Sequence, residues 1–315
     1  MRFQMRKPIS LLLLVLVPFA GSGALELSIH PGSSVVGTTQ IITAKYEDTF
    51  VKLARRYNLG FEELKQANPG VDPWLPGEGT EIVLPTQFVL PGAPRQGVVI
   101  NLPELRLYYY PADDPDRVIT HPVSIGRMEW QTPLGRAQIV AKAEKPTWYP
   151  PESIRQEHAE AGDFLPRVVP PGPDNPLGDH AMRLSIPGYL IHGTNRPSGL
   201  GMRVTHGCIR MFPEDIEGLF GTVPIGTPVH IVNQPFKLAW GENGFYLEAH
   251  PPLEEEVVDG AWAMTQLTRA FVVATEEGQG TNFDWELAEL AVERSRGVPE
   301  FVSLVSVADA DQTPD

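Results

Sequence analysis

Between Val98 and Val232 the chain repeats one pattern, an apolar run of four to eight residues followed by a turn signal. The runs are Val98–Asn101, Leu105–Tyr110, Val118–Ile125, Ala137–Ala141, Met182–Ser185, Tyr189–His192 and Val229–Val232, with Pro111-Ala112-Asp113-Asp114 and Pro133-Leu134-Gly135 among the turns. Runs this short suit strands rather than helices, and several in succession predict a β-sandwich or irregular barrel. The 32 prolines and 29 glycines among 315 residues fit a chain of many turns and argue against an all-helical fold.

The flanks of this region read differently. Arg2, Arg6 and Lys7, then the apolar run Ile9–Val17, then Ser22-Gly23-Ala24 form the three parts of an export signal over residues 1–24. The apolar run is too short for a membrane span, which needs about 20 residues, and no cysteine near its end offers a lipid anchor. Residues 25–37 read as a short leader. Residues 38–86 hold a β-α-α-β order: a strand at Gln40–Ala44, a helix capped by Asp48 or Thr49 and ended at Asn58-Leu59-Gly60, a helix over Phe61–Asn68, and a strand at Glu81–Leu84. Phe88–Gln96, with three breakers, reads as a linker to a domain over 96–233. Within that domain Lys145–Gly178 is long and proline-rich, with one helical stretch at Glu152–Ala161. It is either a lid, with Trp148 and Tyr149 closing over a substrate, or a surface excursion. Residues 234–305 predict a separate α+β accessory domain: a hairpin over Phe236–His250 and helices over Trp262–Ala274 and Asp284–Arg296, the last with Leu287, Leu290 and Ala291 on one face and a stop at Gly297. That block shows no chemical constellation, and 306–315 reads as a disordered tail. The fold class is α+β multidomain.

The chemistry concentrates in Ile191–Met211, which holds the chain's one cysteine, Cys208, with His192, His206 and four glycines. Exported proteins usually pair their cysteines, so a lone thiol set among His, Gly and Arg reads as a reactive group. A thiolate nucleophile needs a base or cation beside it; His192 and His206 both qualify. Gly207 suits an unusual dihedral or close substrate approach. The backbone N–H groups of His206, Gly207 and Cys208 can form an oxyanion hole, and Arg210 can hold a carboxylate bidentately. Pro213, with Glu214 and Asp215, starts a helix just after the thiol, and its positive end favours a lowered thiol pKa. Two alternatives stand beside this reading: a zinc site from His192, His206 and Cys208, and purely structural histidines. His30, His121, His158, His180, His230 and His250 show no clustering in sequence. The formal charge of −14, or −17 once Arg2, Arg6 and Lys7 leave with the signal, disfavours nucleic acid as a partner.

Two resemblances sharpen this. Tyr46-Glu47-Asp48-Thr49, Leu53-Ala54-Arg55-Arg56-Tyr57, Asn68-Pro69, Pro76-Gly77 and Ile82-Val83-Leu84-Pro85 resemble the LysM domain, which implies binding of N-acetylglucosamine-containing glycan. His192-Gly193-Thr194, Gly201 and Thr205-His206-Gly207-Cys208-Ile209-Arg210-Met211 resemble the signature of the L,D-transpeptidase catalytic domain, of the YkuD/ErfK type. Pro122-Val123-Ser124-Ile125-Gly126, Thr132-Pro133-Leu134-Gly135 and Pro146-Thr147-Trp148-Tyr149-Pro150-Pro151 extend that likeness. The combination is similar to the periplasmic enzymes of Gram-negative bacteria. It implies acyl transfer on peptidoglycan without metal or organic cofactor: Cys208 attacks the bond between the diamino acid and D-Ala of a tetrapeptide stem, and an acceptor amine resolves the thioester. His192 matches the acid/base, the Gly193 carbonyl orients it, and His206 is a supporting residue. The acceptor is a second stem, giving a 3→3 crosslink, or a lysine of an outer-membrane lipoprotein. With water as acceptor the enzyme is an L,D-carboxypeptidase, donor exchange with other D-amino acids is a further outcome, and a non-catalytic wall-binding protein is the alternative of a different class.

Overall fold

Two short strands, β1 (Leu25–Ser28) and β2 (Val35–Gly37), occupy the segment that reads as a leader. The structure, a computed structural model, describes residues 23–256, 259–275 and 282–304, so nearly all of the expected export signal and the whole of the expected tail lie outside the described residues. The β-α-α-β order follows as expected: β3 (Gln40–Thr43), α1 (Phe50–Tyr57), α2 (Phe61–Ala67) and β4 (Glu81–Leu84). Thr49 Oγ1 accepts the Lys52 N–H at 3.3 Å and so caps α1. Asn58 ends that helix in the left-handed region at φ 52°, which asparagine tolerates better than most residues. β3 and β4 pair antiparallel, and Phe50, Leu53, Leu59, Leu64, Ile82 and Leu84 fill the space between them and the helices.

The next strand, β5 (Gln87–Val89), corrects the linker reading. It pairs antiparallel with β2, and Phe88 and Val89 are buried before the prolines that follow break the chain. Then come β6 (Gly97–Asn101), β7 (Arg106–Tyr110), β8 (Arg117–Pro122), β9 (Ile125–Gly126), β10 (Gly135–Glu144) and α3 (Glu152–Glu160). They are followed by β11 (His180–Leu184), β12 (Leu190–His192), β13 (Arg203–Thr205), β14 (Ile209–Arg210), α4 (Pro213–Thr222) and β15 (Pro228–Val232). The expected sandwich or barrel is one mixed sheet of nine strands in the order β1-β8-β7-β6-β15-β10-β11-β12-β14. The curl is built at β10. Its first half pairs with β15 and its second half with β11, across a register shift between Ile139 and Ala141. Such bulges bend a strand and raise its twist. Ile100, Leu107, Ile139, Met182, Ile191 and Ile209 point inward onto Ile216 and Leu219 of α4. The opposite face of β6, β7 and β8 is covered too, by Ile29, Val36, Phe88 and Leu90.

The C-terminal block is the hairpin β16 (Phe236–Trp240) and β17 (Phe245–Ala249), then α5 (Gly260–Thr275), α6 (Trp285–Arg294) and β18 (Glu300–Phe301), which returns to pair with β17. The expected face of α6 is rotated. Ala288 and Ala291 are buried while Leu287 and Leu290 are largely exposed, because Phe271, Phe283 and Phe245 already fill the core and leave room only for small side chains. The helix stops at Arg294 with Ser295 in the left-handed region, before Gly297. The block does contain a constellation, invisible in the sequence. Lys237 Nζ, 1% exposed, pairs with Glu104, with Glu248 Oε1 at 2.9 Å and with the Val89 carbonyl at 2.7 Å, and His250 Nε2 meets Glu248 Oε1 at 2.6 Å. The ammonium sits among the carboxylates of Glu104 and Glu248. Among the described residues no helix is long and apolar enough to cross a membrane.

Candidate active site

The site is set by one parallel strand pair. β12 and β14 align Ile191 with Ile209 and His192 with Arg210. Alternation sends both isoleucines into the core, each fully buried, and leaves His192, Arg210 and, two residues earlier, Cys208 toward the other face. The thiol, just before β14, has the Gly188 carbonyl 3.7 Å from its Sγ.

His192 is buried, and its Nδ1 lies 2.6 Å from the Gly193 carbonyl. A carbonyl only accepts, so Nδ1 carries the proton and Nε2 keeps its lone pair. Burial, reinforced by the Arg210 charge, pushes His192 down to about 4, against the pull of the Gly193 and Leu177 backbone. Burial pushes the Cys208 thiol up, while the Leu190 N–H and Arg210 pull it down. Both groups therefore rest neutral at pH 7, as an imidazole beside a thiol rather than an ion pair. The helix after the thiol does not reverse this. α4 starts at Pro213, and its first-turn carboxylates are already engaged, Glu214 by Arg55 at 2.8 Å and Asp215 by Asn58 at 2.7 Å.

Thr205 and Gly207 shape the turn into the thiol. Thr205 Oγ1 donates to the Cys208 carbonyl at 2.6 Å and accepts the Gly207 N–H at 3.2 Å. That second bond occupies one of the three N–H groups expected in an oxyanion hole. Gly207 has φ +95°, and a Cβ there would lie 2.8 Å from the Tyr189 ring, so both dihedral and space demand glycine.

His206 points elsewhere. Its Nε2 lies 3.1 Å from Glu157 Oε2 and 3.3 Å from Arg127 Nη2, and its ring packs edge-on against Trp130. His158 of α3 lies 6.3 Å away, ring to ring, so this histidine belongs to a cluster after all. Likewise His121 faces Asp215 at 3.3 Å, and His250 belongs to the buried charge cluster. With His206 committed to Glu157 and His192 to its carbonyl, the zinc set imagined from the sequence is not assembled; among the described residues the His/Cys/Asp/Glu group that does converge is Glu104, Glu248 and His250. Trp148 is tied through its backbone to Val169 at 2.9 Å, and Tyr149 is 68% exposed.

Arg210 is half-buried, and its Nε has no hydrogen-bond partner. Burial and the charge of Arg196 lower its pKa. The Arg210 guanidinium near the thiol, with Arg196 near Arg210, makes a local positive field in an acidic chain, suited to a carboxylate-bearing substrate. Reading the residues by type missed Arg196, Glu157, Arg127 and Ser124. Ser124 had a signal, since it lies in the quoted segment Pro122–Gly126. It exchanges both backbone hydrogen bonds with Arg210, each 2.9 Å.

Comparison with known proteins identifies the family. The family described as the L,D-transpeptidase catalytic domain, YkuD, matches residues 95–231. Probable L,D-transpeptidase YcfS of Escherichia coli K12 is 44% identical over 234 residues, covering 72% of this chain and 73% of that one. Probable L,D-transpeptidase ErfK/SrfK of the same strain is 38% identical over 282 residues, covering 86% and 88%. A crystal structure of an Enterococcus faecium L,D-transpeptidase mutant aligns with TM-score 0.35 and 22% identity, over 49% of this chain and 56% of that one. On its identity to these relatives and the extent of both chains they cover, this protein belongs to the L,D-transpeptidase family of cysteine acyltransferases.

Proposed function

We propose that this enzyme acts in the periplasm on peptidoglycan tetrapeptide stems, with Cys208 as nucleophile and His192 as acid/base. The observation that supports this is the β12–β14 pairing, which puts His192 opposite Arg210, two residues after the chain's one cysteine, with His192 Nδ1 held by the Gly193 carbonyl so that Nε2 keeps its lone pair. Sγ bonds to the carbonyl carbon of the diamino acid as His192 takes the thiol proton. The carbon–nitrogen bond to D-Ala then breaks, and the same proton leaves on the departing amine. The acceptor amine attacks the thioester, gives a proton to His192 and releases the thiolate, which recovers that proton. The Cys208 N–H supports the oxyanion, with Thr205 and Gly207 holding its turn, and Arg210 binds a substrate carboxylate. Trp148 and Tyr149 close over the bound stem. The acceptor is a second stem or a lipoprotein lysine.

The βααβ unit is a LysM-type module that holds the glycan. Tyr46 and Trp74 support this, at 85% and 60% exposure, since exposed aromatic rings can stack on sugar faces. The deciding experiment is intact-mass spectrometry after incubation with a carbapenem. We expect one covalent adduct on the wild type and none on Cys208→Ala, which also fails to process tetrapeptide stems; an equal adduct on the variant would overturn the assignment. Muropeptide analysis of a deletion strain then separates crosslinking from lipoprotein attachment, hydrolysis and exchange.

A further inference from the structure

The βααβ unit touches the catalytic domain at both flanks of the nucleophile. Before Cys208, the Phe61 and Glu62 N–H groups at the start of α2 donate to the carbonyls of Leu200 and Gly201, at 3.1 and 3.2 Å. Gly201 has φ +78°, and a Cβ on it would lie 2.2 Å from Gly60 Cα, so the two backbones are in direct contact. Met202 packs against the unit's own core. After Cys208, Asn58 Nδ2 donates to both oxygens of Asp215, at 2.7 and 2.8 Å, and Arg55 pairs with Glu214 in the first turn of α4. Beneath these lies a fully buried bidentate pair, Arg106 of β7 with Glu63 of α2, at 2.6 and 2.9 Å.

The contact reaches the reacting residues through a short chain of bonds. Ser124 Oγ accepts the Gly201 and Met202 N–H groups at 3.1 and 3.3 Å. The backbone of Ser124 exchanges two bonds with Arg210, whose charge is felt at both Cys208 and His192. A module that only tethers glycan needs no more than a linker; this one is hydrogen-bonded to the loop that leads to the thiol.

We propose that the βααβ unit is an arm of the catalytic site: Gly201 and Ser124 are positioning residues that set Arg210 against Cys208 through these bonds, and Asn58 acts from the other flank by fixing Asp215 in the first turn of α4, which begins three residues after Arg210. The proposal rests on Cys208 being the nucleophile and is independent of what the unit binds. Two measurements on the full chain test it, in Asn58→Gly, Gly201→Ala and Ser124→Ala: the carbapenem acylation rate by intact mass, and the pH profile of Cys208 alkylation by iodoacetamide. Asn58→Gly keeps the left-handed backbone and removes the side chain whose amide bonds Asp215. Each variant is assayed well below its own melting temperature, so that loss of fold does not enter.

Acylation is expected to slow by about tenfold or more, and the alkylation midpoint to rise by about half a pH unit or more as Arg210 withdraws from the thiol. A merely structural role would lower the melting temperature and leave the midpoint alone. Rates within about twofold of wild type with an unmoved midpoint would overturn the proposal. If Gly201→Ala does not fold, Asn58→Gly and Ser124→Ala decide by the same criteria. No carbapenem adduct on the wild type would instead count against the transpeptidase mechanism, while the alkylation profile would still read the positioning.

Discussion

His192 rests uncharged because it is held out of water, and that has a consequence for stability. A histidine held down to about 4 in the fold has an ordinary value near 6.5 in the unfolded chain. As the pH falls through the window between them, the unfolded state takes up the proton first. His192 therefore contributes full stability above about 6.5 and loses it progressively toward 4, by on the order of 3 kcal/mol. His192→Gln is expected to flatten the melting temperature against pH in that window, and an unchanged slope would assign the effect to other groups. At this scale the sequence was informative about residue type. A lone thiol and two histidines within one stretch, with Arg210 beside the thiol, are the residue types a thiol nucleophile calls for. It could not rank the histidines by chemistry, because His206 is decided by Glu157 and Arg127, at separations of 49 and 79 residues.

Among the elements, α3 shows what holds a weak helix in place. It has nine residues, no side-chain cap at its start and one buried side chain, Ile154. Helices this short are marginal in water without tertiary support. Glu157 supplies that support by accepting from Arg127, from Trp130 Nε1 at 3.0 Å and from His206. Arg127 and His206 hold its carboxyl below the usual range. Glu157→Ala is expected to speed amide hydrogen exchange over residues 152–160 by about tenfold or more, as the population of the undocked helix rises; exchange equal to wild type would mean that Ile154 alone suffices. The helix was legible in the sequence, and so were the strands of the sheet, because period and turn signals are local. The phase of α6 was not, since which face is buried depends on the aromatic side chains already waiting in the core.

For the whole molecule, the buried group around Lys237 joins the C-terminal block to the nine-stranded sheet and to β5. Glu104 comes from the β6–β7 turn, Val89 from the strand after the βααβ unit, and Glu248 and His250 from the C-terminal hairpin. Removing one partner of a buried ion pair leaves an uncompensated charge and costs about 3–5 kcal/mol. Lys237→Met is therefore expected to lower urea stability by that amount, and Glu104→Gln in the same chain to recover part of it. A loss below about 1 kcal/mol would mean that the carboxylates find other partners or protons.

The sequence by itself determined the strands and helices, the β-α-α-β order, the reactive thiol and its family likeness. Each of these is written in neighbouring residues, as period, capping, turn chemistry or motif. Only the tertiary structure decided that nine strands form one sheet curled at the β10 bulge, that His206 turns to α3, that Gly207 spends its N–H on Thr205, and that α2 grips the loop before Cys208. Those outcomes depend on pairs far apart in the chain, such as Glu63 with Arg106 and Asn58 with Asp215. No local signal encodes such a partner: the energy of each pair exists only once the fold has removed both groups from water.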